Sequence, residues 1–220
     1  MNWNLDTTSL SFALTAIESL AVMAFALSGL VAAARKRLDA VGVCVVAGLT
    51  AFGGGTLRDV LLDRRPFFWV EHANWLWVML ALTVGAMAFM RARHLSPTLR
   101  AAQWPDALGL GLFTANGTQI ALDQGMPAIV AVLMGMITAV FGGVLRDIVC
   151  NDIPSAFSDH RPYAVCAFLG GWTLVGALML GVPQGLALIL AIAVTTSLRG
   201  IAMATGFTLP QWGGREPRED

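Results

Sequence analysis

Charged side chains are scarce in this 220-residue chain. Asp, Glu, Lys and Arg make up only 13% of it, about half the share expected of a soluble globular protein. A fold of this size cannot cover a water-facing surface with so little charge. Nor is there an excess of either sign, since 14 basic residues balance 14 acidic ones. That excludes the basic footprint of a nucleic-acid binder. Cysteine is sparse as well. Cys44, Cys150 and Cys166 form neither a CxxC pair nor a disulfide framework, which excludes a stapled secreted scaffold. The three histidines, His72, His94 and His160, stand at the edges of the apolar stretches and show no HExxH spacing. With no nucleophile–base–orienter set in the apolar zone, no catalytic residue, metal or cofactor is expected. What the chain does have is apolar residues, 56% of the total, and a mean hydropathy of +0.68. This is the composition of a helical protein that crosses a membrane several times.

A spanning helix needs about 20 mostly apolar residues. Stretches free of Asp, Glu, Lys and Arg run over 40–57, 72–90, 107–122, 124–145 and 162–198, and 7–34 holds the single charge Glu18. The stretch 162–198 is too long for one crossing and divides at the turn signal Gly181-Val-Pro-Gln-Gly185. Seven crossings result. The first is not expected to be a cleaved signal, because no basic residue precedes it and it is longer than an h-region. Lys/Arg asymmetry sets the orientation. Arg35, Lys36, Arg37, Arg91, Arg93, Arg100, Arg161, Arg215 and Arg218 fall on one side, Arg64 and Arg65 on the other. The basic side is expected in the cytoplasm, with the N-terminus outside and the C-terminus inside. Arg199 is expected to snorkel to that same side.

The chain also repeats itself. A shift of 88 residues lays 25–66 on 113–154 without a gap, with identity at Phe25, Gly29, Ala33, Ala40, Thr50, Ala51, Gly54, Gly55, Leu57, Arg58, Asp59 and Pro66. Each copy holds three crossings, an odd number, so the second copy must be inverted. The expected fold is therefore an all-α membrane protein of seven transmembrane helices, arranged as two inverted three-helix repeats plus a seventh helix. The first repeat with its N-terminal segment takes 1–95, the second 96–182, and the seventh helix and tail 183–220.

The densest part of the repeat reads Gly53-Gly54-Gly55-Thr-Leu-Arg58-Asp59 in one copy and Phe-Gly142-Gly143-Val-Leu-Arg146-Asp147 in the other. Glycines weaken a helix interior by about 1 kcal/mol each relative to alanine. A charge at bilayer depth costs at least ~2.5–3.5 kcal/mol. Finding both together, twice, marks a functional centre near the interface of the repeats. The glycines are expected to interrupt helices 2 and 5. The carbonyls near Thr50 and Thr138 would then face cations, and the new helix starts after Gly55 and Gly143 would face anions. Adjacent Arg and Asp project about 100° apart on a helix, so pairing is expected across the repeats, Arg58 with Asp147 and Arg146 with Asp59. Ser28 and Asn116 match across the repeat and either line the path or bond within their helices. Glycine pairs that merely allow close packing are the plain alternative. Glu18 is expected to be an interfacial surface charge.

These motifs, Ala51-Phe-Gly-Gly-Gly-Thr-Leu-Arg-Asp-Val-Leu-Leu with Pro66 and its echo Phe141-Gly-Gly-Val-Leu-Arg-Asp-Ile, resemble the prokaryotic branch of the trimeric intracellular cation channel family. The resemblance runs from about residue 9 to 205. It implies a homotrimer in membrane lipid with a separate pore in each protomer, between the repeats at kinked helices 2 and 5. The same family is also described as containing glycine transporters. The lysine-containing, lipid-associated variant of the motif is absent, so lipid regulation is not carried over. The expected function is a channel for monovalent cations, potassium first and sodium next, in a bacterial inner membrane, with no nucleic-acid partner. Transport of glycine or a small zwitterion by the same Arg–Asp site is the alternative.

Overall fold

The computed structural model describes residues 7–89, 103–158 and 162–209. They form nine helices, α1 (Thr7–Arg35), α2 (Ala40–Leu61), α3 (Phe68–Glu71), α4 (Asn74–Phe89), α5 (Gln103–Asp123), α6 (Ala128–Val149), α7 (Ser155–Ser158), α8 (Ala164–Met179) and α9 (Gln184–Thr205). The protein is an all-helical membrane protein. Four of the helices, α1, α2, α6 and α9, are long and apolar enough to cross a bilayer, and α4 and α8 are shorter apolar helices. α5 is less apolar because it carries Thr114, Asn116, Thr118 and Gln119, and it buries all four side chains inside the bundle. α3 and α7 are single turns.

Local signals set the helix ends. Asp39 caps α2 by accepting from the Gly42 N–H at 2.7 Å, which satisfies one of the donors left free in a first helical turn. Between α8 and α9, Gly181 takes φ +76°, a backbone conformation that costs glycine nothing, and the chain turns where the sequence places its Gly-Pro-Gly signal. The calls on Arg91, Arg93, Arg100, Arg161, Arg215, Arg218, His94 and His160 lie outside the described residues.

The centre of the bundle is α1, α2, α5 and α6, each packed on its neighbours. α4 lies against α1 and α2 just as α8 lies against α5 and α6, and α9 joins α5 and α8. The 88-residue shift therefore carries contacts as well as letters. Phe25 and its counterpart Phe113 meet at 5.3 Å between ring centroids, both fully buried.

The expectation that glycines break helices 2 and 5 is overturned, since α2 and α6 each run as one continuous helix of 22 residues. The glycines instead let the two helices touch. A Cβ on Gly54 would strike the carbonyl oxygen of Thr138, and one on Gly142 would strike that of Thr50. Each helix thus presses its backbone into the other's glycine. Both threonine hydroxyls bond within their own helix, Thr50 to the Val46 carbonyl and Thr138 to that of Met134, each at 2.6 Å. Back-bonding of this kind satisfies a buried hydroxyl without a partner on another helix. No carbonyl or helix start is freed at mid-helix for an ion.

Candidate functional site

Arg58 stands one turn from the end of α2 and is fully buried. Its Nε donates to Asp59 Oδ1 at 2.8 Å, and its Nη2 pairs with Glu18 Oε1 of α1 at 2.8 Å. Asp59 turns its other oxygen to the Phe68 N–H, the first residue of α3, at 2.9 Å. Arg146 holds the same place on α6. Its Nε donates to Asp147 Oδ1 at 2.7 Å, and its Nη1 reaches Asp106 Oδ1 of α5 at 2.7 Å. Asp147 Oδ2 accepts from the Ser155 N–H, the first residue of α7, at 2.8 Å. Ser28 of α1 completes this cluster. Its Oγ accepts from Arg146 Nη1 at 2.6 Å and donates to Asp106 at 3.1 Å.

The pairing expected across the repeats is therefore wrong, because each arginine bonds the aspartate that follows it in its own repeat. The Arg side chain is long enough to bend its Nε back to the next residue. The carboxylate is also held in place from its far side by the short helix. Distance rules out the alternative. Along α1, Glu18 marks one cluster and Ser28 the other, and ten residues of helix span about 15 Å, too far for a side chain to bridge. Glu18, expected at the surface, is buried against Arg58. Its carboxylate would otherwise have no partner in an apolar bundle, and the ion pair offsets that cost.

Asp106 was missed in the sequence. It sits just outside the uncharged run 107–122, where it looked like the edge of a helix. Extending the repeat back seven residues from Phe25 would have found it, since the 88-residue shift pairs Glu18 with Asp106. Each repeat thus supplies an acid on its first helix and Arg-Asp on its second, two carboxylates to one guanidinium.

The two clusters differ in their access to water. A cavity of about 280 Å³ opens beside the Arg146 cluster, lined by Ser28, Asp106, Arg146, Asp147, Ser155 and Arg199, with Lys36 and Asp152 further out. Lys36 and Asp152 pair at 2.6 Å, which puts the α1–α2 and α6–α7 turns on one end of the bundle, the end bearing Arg35, Lys36 and Arg37. Arg199 does not extend outward as expected. It is buried, with its guanidinium 4.8 Å from the centre of the Tyr163 ring. Beside the Arg58 cluster the cavity is only about 10 Å³, lined by Thr15, Glu18, Ser19, Val22, Phe68, His72 and Trp75, room for about one water. Between the clusters the seam of α2 and α6 is packed at the glycines.

Of the residues singled out in the sequence, Arg58, Asp59, Arg146, Asp147 and Ser28 enter these clusters. Gly54 and Gly142 form the seam. Gly55 lies against the Phe68 ring, and Gly143 is 3.4 Å, measured from an added Cβ, from the Tyr163 hydroxyl. Gly53 faces an open apolar groove with Phe52, Leu57 and Leu145. Thr50 and Thr138 are sealed in the seam. Asn116, the counterpart of Ser28, is fully buried, and its amide has no hydrogen-bond partner among the described residues.

Comparison with known proteins agrees with the overall fold. The family model described as glycine transporter matches residues 15–93 and 103–179, one segment per repeat. A UPF0126 membrane protein of Vibrio cholerae is 34% identical over 198 residues, 88% of this chain and 80% of that protein. The UPF0126 inner membrane protein YadS of Escherichia coli K12 is 33% identical over 191 residues, 84% of this chain and 89% of its own. Among solved structures, the trimeric intracellular cation channel orthologue from Rhodobacter sphaeroides superposes with a TM-score of 0.80 at 31% identity, covering 88% of this chain and 98% of that one. A prokaryotic channel of the same kind, crystallised in 0.5 M KCl, gives 0.81 at 25% identity over 90% of this chain.

Proposed function

This chain belongs to the glycine transporter family, whose structural relatives are channels and not enzymes, and from that premise we propose that it conducts monovalent cations, potassium foremost, along a path between the inverted repeats of each protomer of a homotrimer. The observation that carries this reading is that each buried arginine is paired with two acids. A buried arginine on a cation path would by itself repel the ion. Here each is outnumbered, Arg58 by Glu18 and Asp59, and Arg146 by Asp106 and Asp147. The two acids neutralise each arginine, with Arg64 3.9 Å from Asp59 at one end and Arg199 lining the cavity at the other. Relatives of the same architecture named as cation channels support the assignment. Seven of the helices cross the membrane in this reading. The end with Arg35, Lys36 and Arg37 faces the cytoplasm, as the excess of basic residues there favours, in an inner membrane like that of the Escherichia coli relative. The packed α2–α6 seam makes the arrangement described here a closed one.

A second reading has its own observation. The cavity at the Arg146 end presents the Arg146 and Arg199 guanidinium groups beside the Asp106 and Asp147 carboxylates. That set suits the carboxylate and the ammonium of a zwitterion as small as glycine, in line with the family's description. The decisive experiment places the purified protein in liposomes and assays one batch for potassium flux and for radiolabelled glycine uptake. Potassium flux well above that of empty liposomes, indifferent to glycine, is the expected result. Saturable glycine uptake without matching ion flux would replace the channel with a transporter.

A further inference from the structure

We infer that α3 is the gate at the Arg58 end, with Phe68 as its plug and the Trp69–Thr56 hydrogen bond as its latch. The inference rests on the reading that substrate passes between the repeats. Both ends carry the same tether, an aspartate oxygen accepting from the first N–H of a one-turn helix, Asp59 to Phe68 and Asp147 to Ser155. What hangs on the tether differs.

On α3, Phe68 is only 3% exposed. Its ring lies against Gly55, with its centre 5.4 Å from the Arg58 guanidinium and 5.9 Å from the centre of the Phe52 ring. Here the aromatic face covers the cation it shields from water. Trp69 Nε1 donates to Thr56 Oγ1 at 3.1 Å, and that hydroxyl donates in turn to the Phe52 carbonyl at 2.8 Å. The chain of bonds ties α3 down onto α2.

On α7 the corresponding parts are missing. Ala156 follows the tethered Ser155, and the aromatic residue next along, Phe157, is 68% exposed. The repeat counterpart of Thr56 is Val144, which has no hydroxyl to accept a bond. This is the end where the cavity of about 280 Å³ reaches Arg146 and Ser155. The end with plug and latch is shut, and the end without them is open. A polar substrate of either kind, cation or zwitterion, must displace Phe68 to reach Glu18 and Arg58.

Thr56→Val removes the latch acceptor at almost constant shape and installs the residue of the other repeat. Trp69→Phe removes the donor, and Phe68→Ala removes the plug. In liposomes, amide hydrogen exchange is read by mass spectrometry over residues 66–73, with 155–158 as internal reference, and potassium flux and glycine uptake are measured on the same preparations. The latch variants are expected to exchange at least several-fold faster over 66–73 alone, and to raise transport of whichever substrate the parent carries several-fold. Phe68→Ala is expected to raise it further. Unchanged exchange in both latch variants overturns the latch. Faster exchange with unchanged transport overturns the gate. A parent protein that moves neither substrate overturns the permeation reading and the gate with it, while the exchange measurement still decides the latch.

Discussion

The two ends of this bundle are assembled from the same parts and stand in different states. At each, an acid from the first helix of a repeat and an aspartate from the second hold one arginine, and the aspartate tethers a one-turn helix. Yet Arg58 is fully enclosed, whereas Arg146 is 11% exposed at the base of a water-accessible cavity. The difference lies in residues the repeat does not preserve. Phe68, Trp69 and Thr56 close one end, and Ala156, Phe157 and Val144 leave the other open. The repeated residues carry the chemistry, and the unrepeated ones decide which end admits water.

The largest test of that contrast removes each arginine in turn. Arg58→Met leaves Glu18 and Asp59 facing each other with only Arg64, 3.9 Å from Asp59, in a closed site, and a loss of about 3–5 kcal/mol is expected. Arg146→Met should cost less than half as much, because the cavity lets water reach Asp106 and Asp147. Thermal unfolding of the two variants in the same detergent compares them, and equal losses would mean that the difference in enclosure is energetically empty.

The glycines sharpen the comparison next. Gly54→Ala and Gly142→Ala each drive a methyl group into a backbone carbonyl of the facing helix, and both should lose about 1–3 kcal/mol through overpacking. Those two sites are equivalent, so the losses should match. Gly55 and Gly143 are not. An alanine at 55 meets the Phe68 ring, while one at 143 stands in ordinary contact with Tyr163. Only Gly55→Ala should loosen α3, read as faster amide exchange over residues 66–73.

A smaller effect is expected from the acids that balance Arg146. Asp106→Asn leaves Arg146 with one acid where it had two and should lower potassium flux in liposomes up to about tenfold, equivalent to about 1.4 kcal/mol. Flux that rises on this substitution would count against a cation path. The smallest effect belongs to the Lys36–Asp152 pair. Both side chains are substantially exposed, so Lys36→Ala should change stability by less than about 1 kcal/mol in the same unfolding assay.

Much of this protein is written in its sequence at short range. A long apolar stretch with few charges must leave water as a helix, so α1, α2, α4 and α6 fall where the uncharged stretches place them, and the Gly181 turn divides α8 from α9 as its residues require. The 88-residue repeat, once seen, predicts inversion by counting crossings. It also marks Arg58, Asp59, Arg146 and Asp147 as the residues that matter. The sequence did not show how those residues pair or what the glycines do. Adjacent side chains on a helix leave the axis about 100° apart, and only the surrounding helices show that a long arginine folds back to its neighbour because α3 and α7 hold that neighbour still. Glycine in a helix reads equally as a break or as a place of contact. Tertiary packing chose contact, because the facing carbonyls of Thr50 and Thr138 occupy the space a side chain would need. Enclosure was likewise decided by the tertiary structure, since whether a charge is sealed or wetted depends on groups that arrive from other helices.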